Sequence, residues 1–303
     1  MKNNKIHKEK LVTVIGTSYI ELLVPDFLEK CFETYLKKDF GEKQFQVSPH
    51  ENTYATAGIV LTVLGIEAYR NRIYYLEKRT VSRSVAEDLT VMFKSREANF
   101  SEKDFENLLN EVFVLRDVIV HNHIYKVNVE FDGDWQILGH RQELLKGYGD
   151  TKFRVSTNSR TKKTTNLKLN VQPGKIGFED LFIVLVLFDS FVGLSEKILG
   201  RAYVPFHFWK EVNGVGTEDF YKYLTCFYHL IPNQKYVQQL NSILQKIRKE
   251  YGQFLPDYNE YFVNNICIIC GEFGFRQMNQ VYLCKKCGHR VELASVVQNK
   301  TTT

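Results

Sequence analysis

The sequence predicts a mainly α-helical protein with a β-rich insertion and a small cysteine-containing unit at its C-terminal end. Apolar residues recur at helical spacing through most of the chain, the spacing changes to period two after Ile124, and four of the six cysteines cluster near the C-terminus. With 303 residues, 44% of them hydrophobic, the chain is long enough for one or two folded domains. We predict a helical lead at 1–49, a helical bundle at 50–200 with an insertion at 125–176, a helical segment at 201–257, and the cysteine-containing unit at 258–303.

Most helices of the bundle are predicted from apolar spacing alone. A short strand at 11–15 and a helix at 19–38 come first, and residues 54–79 give the strongest helical pattern. That pattern is nearly all apolar between Ala57 and Ile66, which is typical of a helix in the middle of a bundle. Further helices are predicted at 84–94, 178–199, 204–212, 217–230 and 235–251.

A helix that starts near Ser101 carries the most informative motif of the chain. A capping box from Ser101 to Asp104 and a hydrophobic staple of Phe100 on Phe105 predict its first turn. Its apolar stripe contains Arg116, four residues after Val112. A charge inside an apolar stripe must be paired or must face a partner. The stripe consists of Phe105, Leu108, Leu109, Val112, Leu115 and Ile119.

The insertion alternates apolar and polar residues and also carries a basic segment. Period-two alternation predicts a strand at 125–131 and, after an Asp-Gly-Asp turn, a second at 135–137, with further strands at 152–155 and 166–171. Residues 151–178, the basic segment, hold seven Lys or Arg and no acidic residue. Because clustered cations bind nucleic-acid backbones, Arg160, Lys162 and Lys163 are predicted to bind RNA. A solvated, mobile loop is the alternative for the same segment.

The C-terminal cysteines form two matched pairs with thirteen residues between them. Cys267 with Cys270, and Cys284 with Cys287, each follow the Cys-x-x-Cys pattern, with a glycine after each pair. This spacing lets four thiolates meet one tetrahedral metal ion, and the chain between the pairs is long enough for a β-hairpin. The segment resembles a zinc ribbon, and a closed four-cysteine site predicts a structural Zn²⁺. Its surrounding Lys and Arg residues suit nucleic acid, an acidic partner or simply solvent.

Residues 116–123 place an arginine, an aspartate and two histidines at the end of the motif helix. An arginine can hold a phosphate, and a histidine that titrates near neutral pH can move a proton. These two residue types are the minimum set for cleaving a phosphodiester without a metal ion. The alternative is a core histidine beside a solvated arginine.

The pattern Arg-(Asp/Asn/His)-x3-His at the end of a bundle helix resembles the signature of HEPN domains. Arg116, Asp117 and His121 match it, and His123 matches a looser version with six intervening residues. Many members of this family are metal-independent ribonucleases of toxin–antitoxin, abortive-infection and CRISPR-linked systems. The resemblance, which covers residues 50–200, implies a HEPN-type bundle in which Arg116 holds the scissile phosphate, a histidine moves the proton and Asp117 orients that histidine.

Helix geometry leaves two candidates for the catalytic histidine. At 100° per residue, Arg116 and His123 lie almost on one face, whereas His121 lies about 140° away from Arg116. The family pattern favours His121 and ideal geometry favours His123, so both are kept. One histidine per chain would have to act as both the acid and the base of the reaction. A homodimer that brings two motif helices together is therefore expected.

The motif residues together with this resemblance therefore predict a metal-independent endoribonuclease, and the resemblance implies a role in phage defence or a toxin–antitoxin system. A non-catalytic module of the same type, which binds RNA or a nucleotide or forms a complex, and a zinc-ribbon adaptor with a dimerising bundle are the alternatives. A restraining or activating partner protein is possible in each case. The N-terminus lacks a secretory pattern and the longest apolar run has eight residues, so a cytoplasmic protein without a membrane segment is expected.

Overall fold

A computed structural model shows that the chain is mainly α-helical, as predicted. The residues it describes are 23–38, 46–80, 84–121, 125–133, 137–144, 151–200 and 220–251, with short pieces at 203–204, 206, 208, 210–212, 215–217, 275–278, 281–284 and 290–292. Its helices are α1 (Val24–Tyr35), α2 (Pro49–Leu76), α3 (Val85–Arg96), α4 (Glu102–Val120), α5 (Thr151–Ser156), α6 (Phe178–Leu199), α7 (Phe220–Leu230) and α8 (Gln234–Tyr251). The predicted strand at 11–15 lies outside the described residues.

Helices α2 and α6 form the centre of the bundle. Helix α6 is buried along almost its whole length, and α1, α2, α3, α7 and α8 all pack against it. Gly58 lets α2 approach α6 closely, since a Cβ at this position would lie 2.8 Å from Cδ1 of Leu181. Among the described helices, none is both long enough and apolar enough to cross a membrane.

Polar residues fix the beginnings of several helices. Ser48 Oγ accepts a hydrogen bond from the backbone N–H of Glu51 at 3.2 Å, which caps α2. The capping box predicted at Ser101 is wrong, because Ser101 Oγ instead donates to the Asp104 carboxylate at 3.1 Å. The predicted staple is confirmed: the ring centroids of Phe100 and Phe105 lie 5.0 Å apart.

The described strands of the insertion differ in part from those predicted. Strands β1 (Tyr125–Phe131) and β2 (Ile137–Leu144) form an antiparallel hairpin, and β3 (Thr157–Asn158) pairs with β4 (Lys163–Thr164). The strand predicted at 152–155 is wrong because these residues belong to α5. A strand would place Phe153 and Val155 on one face, whereas the helix buries Phe153 and leaves Val155 74% exposed. Of the strand predicted at 166–171, only a single bridge between Asn170 and Lys163 is formed.

The last third of the chain contains short strands as well as helices. The helix predicted at 204–212 is wrong, since its end forms β5 (Lys210–Val212), which pairs with β6 (Val215–Thr217). The missed signal is Asn213-Gly214 between two valines, a sequence that favours a two-residue hairpin. Strands β7 (Phe275–Met278), β8 (Val281–Cys284) and β9 (Arg290–Glu292) form an antiparallel sheet in that order.

Candidate functional site

Helix α4 remains regular up to the candidate site. The β-branched residues 118–120 do not distort it, and His121 caps it with a backbone N–H that donates to Asp117 O at 2.9 Å. The backbone of His121 (φ −95°, ψ 0°) is the first to leave helical geometry. Side-chain directions up to this point therefore follow helix geometry, which places Arg116 and His121 about 140° apart around the axis.

Arg116 lies between two carboxylates. Its Nη1 is 3.1 Å from Glu67 Oε1 on α2, and its Nε is 2.8 Å from Asp117 Oδ1. Because the Nε–H finds no hydrogen-bond acceptor among the described residues, the short contact with Asp117 is an ion pair whose geometry is bent. The prediction that a charge inside the apolar stripe must be paired is confirmed.

A second cation, Lys152, reaches the same carboxylate from α5. Its Nζ is 3.8 Å from Asp117 Oδ2 and 5.1 Å from the ring centroid of Phe113, while the Arg116 guanidinium carbon is 5.7 Å from that centroid. We name Glu67, Arg116, Asp117 and Lys152 the Arg116 cluster. Its formal charges sum to zero, and its side chains are between 23% and 32% exposed.

Sequence reasoning missed two members of the Arg116 cluster. Glu67 lies on α2, and no local pattern links it to a residue 49 positions later. The sequence places Lys152 only in the basic segment, because residues 152–155 are predicted to form a strand. A helical interpretation of residues 151–156, with Phe153 buried against α4, would have placed Lys152 near the motif.

The structure describes only one of the two candidate histidines, His121. His121 is exposed at the end of α4, and within the described residues no contact joins its imidazole to Arg116 or Asp117. The Asp117 carboxylate is instead directed to Arg116 and Lys152. His123 lies outside the described residues.

Of the predicted RNA-binding residues, Arg160 and Lys162 lie in the tight turn between β3 and β4, and Lys163 begins β4. Asn158 Oδ1 accepts hydrogen bonds from the backbone N–H groups of Arg160 at 2.9 Å and Thr161 at 3.0 Å. Lys162 adopts a left-handed backbone (φ 56°), which completes the turn. Arg160 is exposed at the tip, while Lys162 and Lys163 are partly exposed.

Buried carboxylates of the bundle anchor the basic segment. Glu111 on α4, which is 1% exposed, accepts hydrogen bonds from the backbone N–H groups of Asn166 and Leu167, both at 2.7 Å. Asp180 at the start of α6 accepts from the backbone N–H of Asn170 at 2.7 Å, and burial raises the pKa of its carboxyl group. The basic segment has no acidic residue, and carboxylates of α4 and α6 accept hydrogen bonds from its backbone. These hydrogen bonds fix the base of the turn.

Of the four C-terminal cysteines, the structure describes only Cys284. Phe275, which begins β7, pairs with Cys284, which ends β8, and Cys287 lies between β8 and β9 in sequence. In sequence, Cys270 stands five positions before Phe275. Cys267, Cys270 and Cys287 lie outside the described residues, within which no three His, Cys, Asp or Glu side chains are placed to hold a metal ion.

Comparison of the chain with protein-family models, with curated proteins and with solved structures found no match.

Proposed function

We propose that this protein is a metal-independent endoribonuclease that resembles HEPN ribonucleases and that cuts RNA at the end of α4. The observation that carries the proposal is the position of Arg116. Its side chain is 24% exposed and lies five residues, about 1.4 turns, before the exposed His121. Glu67 contacts Nη1 and Asp117 contacts Nε, so in the described part of the chain Nη2 is the nitrogen left for a phosphate.

The reaction needs only a proton carrier and a phosphate contact. The RNA 2′-oxygen attacks the adjacent phosphorus and loses its proton, and the bond from phosphorus to the 5′-oxygen breaks as that oxygen gains a proton. The products are a 2′,3′-cyclic phosphate and a 5′-hydroxyl. His121, or His123, moves a proton at one of these oxygens, and Arg116 stabilises the charge that develops on the phosphate.

A homodimer would bring together groups that one α4 helix separates. Because Arg116 and His121 project about 140° apart, an arginine of one chain and a histidine of its partner could converge across a two-fold axis. A dimer would also supply two histidines, one as base and one as acid. The resemblance further suggests a role in phage defence or a toxin–antitoxin system, with a restraining or activating partner protein.

Two accessory features fit the same proposal. Arg160, Lys162 and Lys163 would hold the RNA backbone, which suits an anchored turn with an exposed arginine at its tip. Cys267, Cys270, Cys284 and Cys287 would bind one structural Zn²⁺, which is supported by the spacing of the two Cys-x-x-Cys pairs.

A specific observation favours a non-catalytic module as the second candidate. Arg116 already has two carboxylate partners, and the Arg116 cluster joins α2, α4 and α5. Such a network could serve stability or complex formation alone, and RNA or a nucleotide would then be bound without being cut. In the third candidate, the zinc-ribbon adaptor, the bundle would only dimerise.

Incubation of purified protein with end-labelled RNA and excess chelator separates the three candidates. Cleavage that yields cyclic phosphate ends supports the ribonuclease, retention without cleavage supports the binding module, and neither result supports the adaptor. Arg116→Ala and His121→Ala are each expected to abolish cleavage. Full activity in His121→Ala with loss in His123→Ala would move the proton-carrying role to His123.

A further inference from the structure

Lys152 connects the basic segment to the Arg116 cluster. It lies on α5, which packs against α4 through the buried Phe153. Its ammonium group lies above the Phe113 ring and 3.8 Å from Asp117 Oδ2. A lysine in this place is not part of the arginine–histidine motif and is separated from Asp117 by 35 positions of the sequence.

The two oxygens of Asp117 face two different cations. Oδ1 lies beside Arg116 Nε and Oδ2 lies toward Lys152 Nζ, while Glu67 takes the Nη1 side of the guanidinium. Without Lys152, one arginine would face two carboxylates and the Arg116 cluster would carry a formal charge of −1. A negative cluster repels an RNA phosphate and holds the guanidinium more firmly to its own acids.

We propose that Lys152 is a positioning residue of the ribonuclease site, acting through Asp117. It balances part of the Asp117 charge and so leaves the Arg116 guanidinium available to the scissile phosphate. The inference rests on the proposed ribonuclease function. It also requires that the effect of Lys152 depend on the presence of an acid at position 117.

The first test compares single variants in the chelator-containing cleavage assay. Lys152→Met is expected to lower kcat about tenfold, since a small displacement of a phosphate-binding group has a large effect on rate. KM should change much less, because Lys152 acts on the transition-state contact of Arg116 rather than on RNA docking. Lys152→Arg should restore most of the rate. Lys30→Met, which removes an ion-paired lysine on α1, is the control that should retain the wild-type rate.

The second test is a double-mutant cycle with Asp117→Asn. Asparagine fits the motif at this position, so this variant is expected to keep measurable cleavage. If Lys152 acts through the Asp117 charge, Lys152→Met should have almost no further effect on kcat in the Asp117→Asn background. A purely structural role would instead give the same loss in both backgrounds, together with a lower unfolding temperature.

The possible results separate this inference from the proposed function. If Arg116→Ala abolishes cleavage while Lys152→Met cuts RNA as fast as Lys30→Met, the ribonuclease stands and the role of Lys152 is overturned. An equal tenfold loss with and without Asp117 overturns the route through Asp117. If the wild-type protein does not cleave RNA in chelator, or Arg116→Ala cleaves at the full rate, the proposed function fails and the role of Lys152 fails with it.

Discussion

At the scale of single residues, the bundle contains ion pairs that differ greatly in burial. Arg70 Nη1 and Asp88 Oδ2 lie 2.6 Å apart, with side chains that are 10% and 6% exposed. Lys30 and Glu33 form an ion pair of 3.0 Å whose side chains are more than half exposed. Burial decides the energetic role of each pair, because a buried charge that loses its partner cannot be solvated by water.

Replacement of Asp88 by alanine is expected to destabilise the protein strongly. The guanidinium of Arg70 would remain buried without its carboxylate, which lowers the free energy of unfolding by about 3 kcal/mol. Urea unfolding followed by circular dichroism measures this change. Glu33→Ala is the matched control and should leave the free energy of unfolding nearly unchanged, because its ion pair with Lys30 is exposed to water. Equal losses in the two variants would show that burial of the Arg70–Asp88 pair does not matter.

At the scale of elements, a buried carboxylate on α2 joins the beginning of α6 to the residues that follow α1. Glu51 Oε1 accepts hydrogen bonds from Lys38 Nζ at 2.8 Å and from the backbone N–H of Phe178 at 3.0 Å. Gly177 precedes Phe178, and a Cβ added there would overlap Glu51 Oε1. The glycine is therefore required for close approach rather than for an unusual backbone angle, since its φ is −145°.

Gly177→Ala is expected to reduce stability by about 1 to 3 kcal/mol, because the added methyl group must displace a buried, hydrogen-bonded carboxylate. Gly133→Ala, where a Cβ would meet nothing within 4 Å, should leave stability nearly unchanged. Thermal unfolding of both variants beside the wild type provides the comparison. An alanine at 177 that is tolerated as well as one at 133 would contradict the packing described for α6.

The secondary structure predicted from the sequence is most accurate where the pattern of apolar residues is long. Helix α6 begins and ends where predicted, because its apolar residues recur at helical spacing over 22 residues. Residues 151–156 are too few to distinguish period two from helical period, and burial of Phe153 against α4 decides their structure. In the candidate site, the sequence indicated Arg116 and Asp117, but Glu67 and Lys152 join them only through tertiary packing.

At the scale of the whole molecule, the proposed zinc ion and the proposed chemistry are independent. We expect about one zinc per chain by elemental analysis of protein purified without chelator. Cys267→Ser should release the metal and unfold the C-terminal unit, because metal binding and folding are coupled in small zinc units. Cleavage by the bundle should persist after zinc is removed. Purified protein without zinc would refute the metal site.

RNA docking on the basic segment should be electrostatic and insensitive to sequence. Replacing Arg160, Lys162 and Lys163 by glutamine is expected to weaken binding of all RNAs alike and to flatten its salt dependence. Each lost phosphate contact lowers the log–log salt slope by roughly 0.7 to 0.9. Fluorescence anisotropy across a salt series measures the slope. An unchanged affinity and slope would show that this turn is only a solvated surface.

We claim that Arg116 takes part in chemistry rather than only in an ion-pair network. The single-turnover rate of RNA cleavage by Arg116→Ala in excess chelator tests this role. We expect a loss of about a hundredfold or more, which corresponds to a transition-state contact of roughly 3 kcal/mol. Arg96→Ala, which removes another ion-paired arginine of the bundle, should cleave at the wild-type rate. An Arg116→Ala protein that is folded and cleaves RNA as fast as Arg96→Ala would contradict the claim.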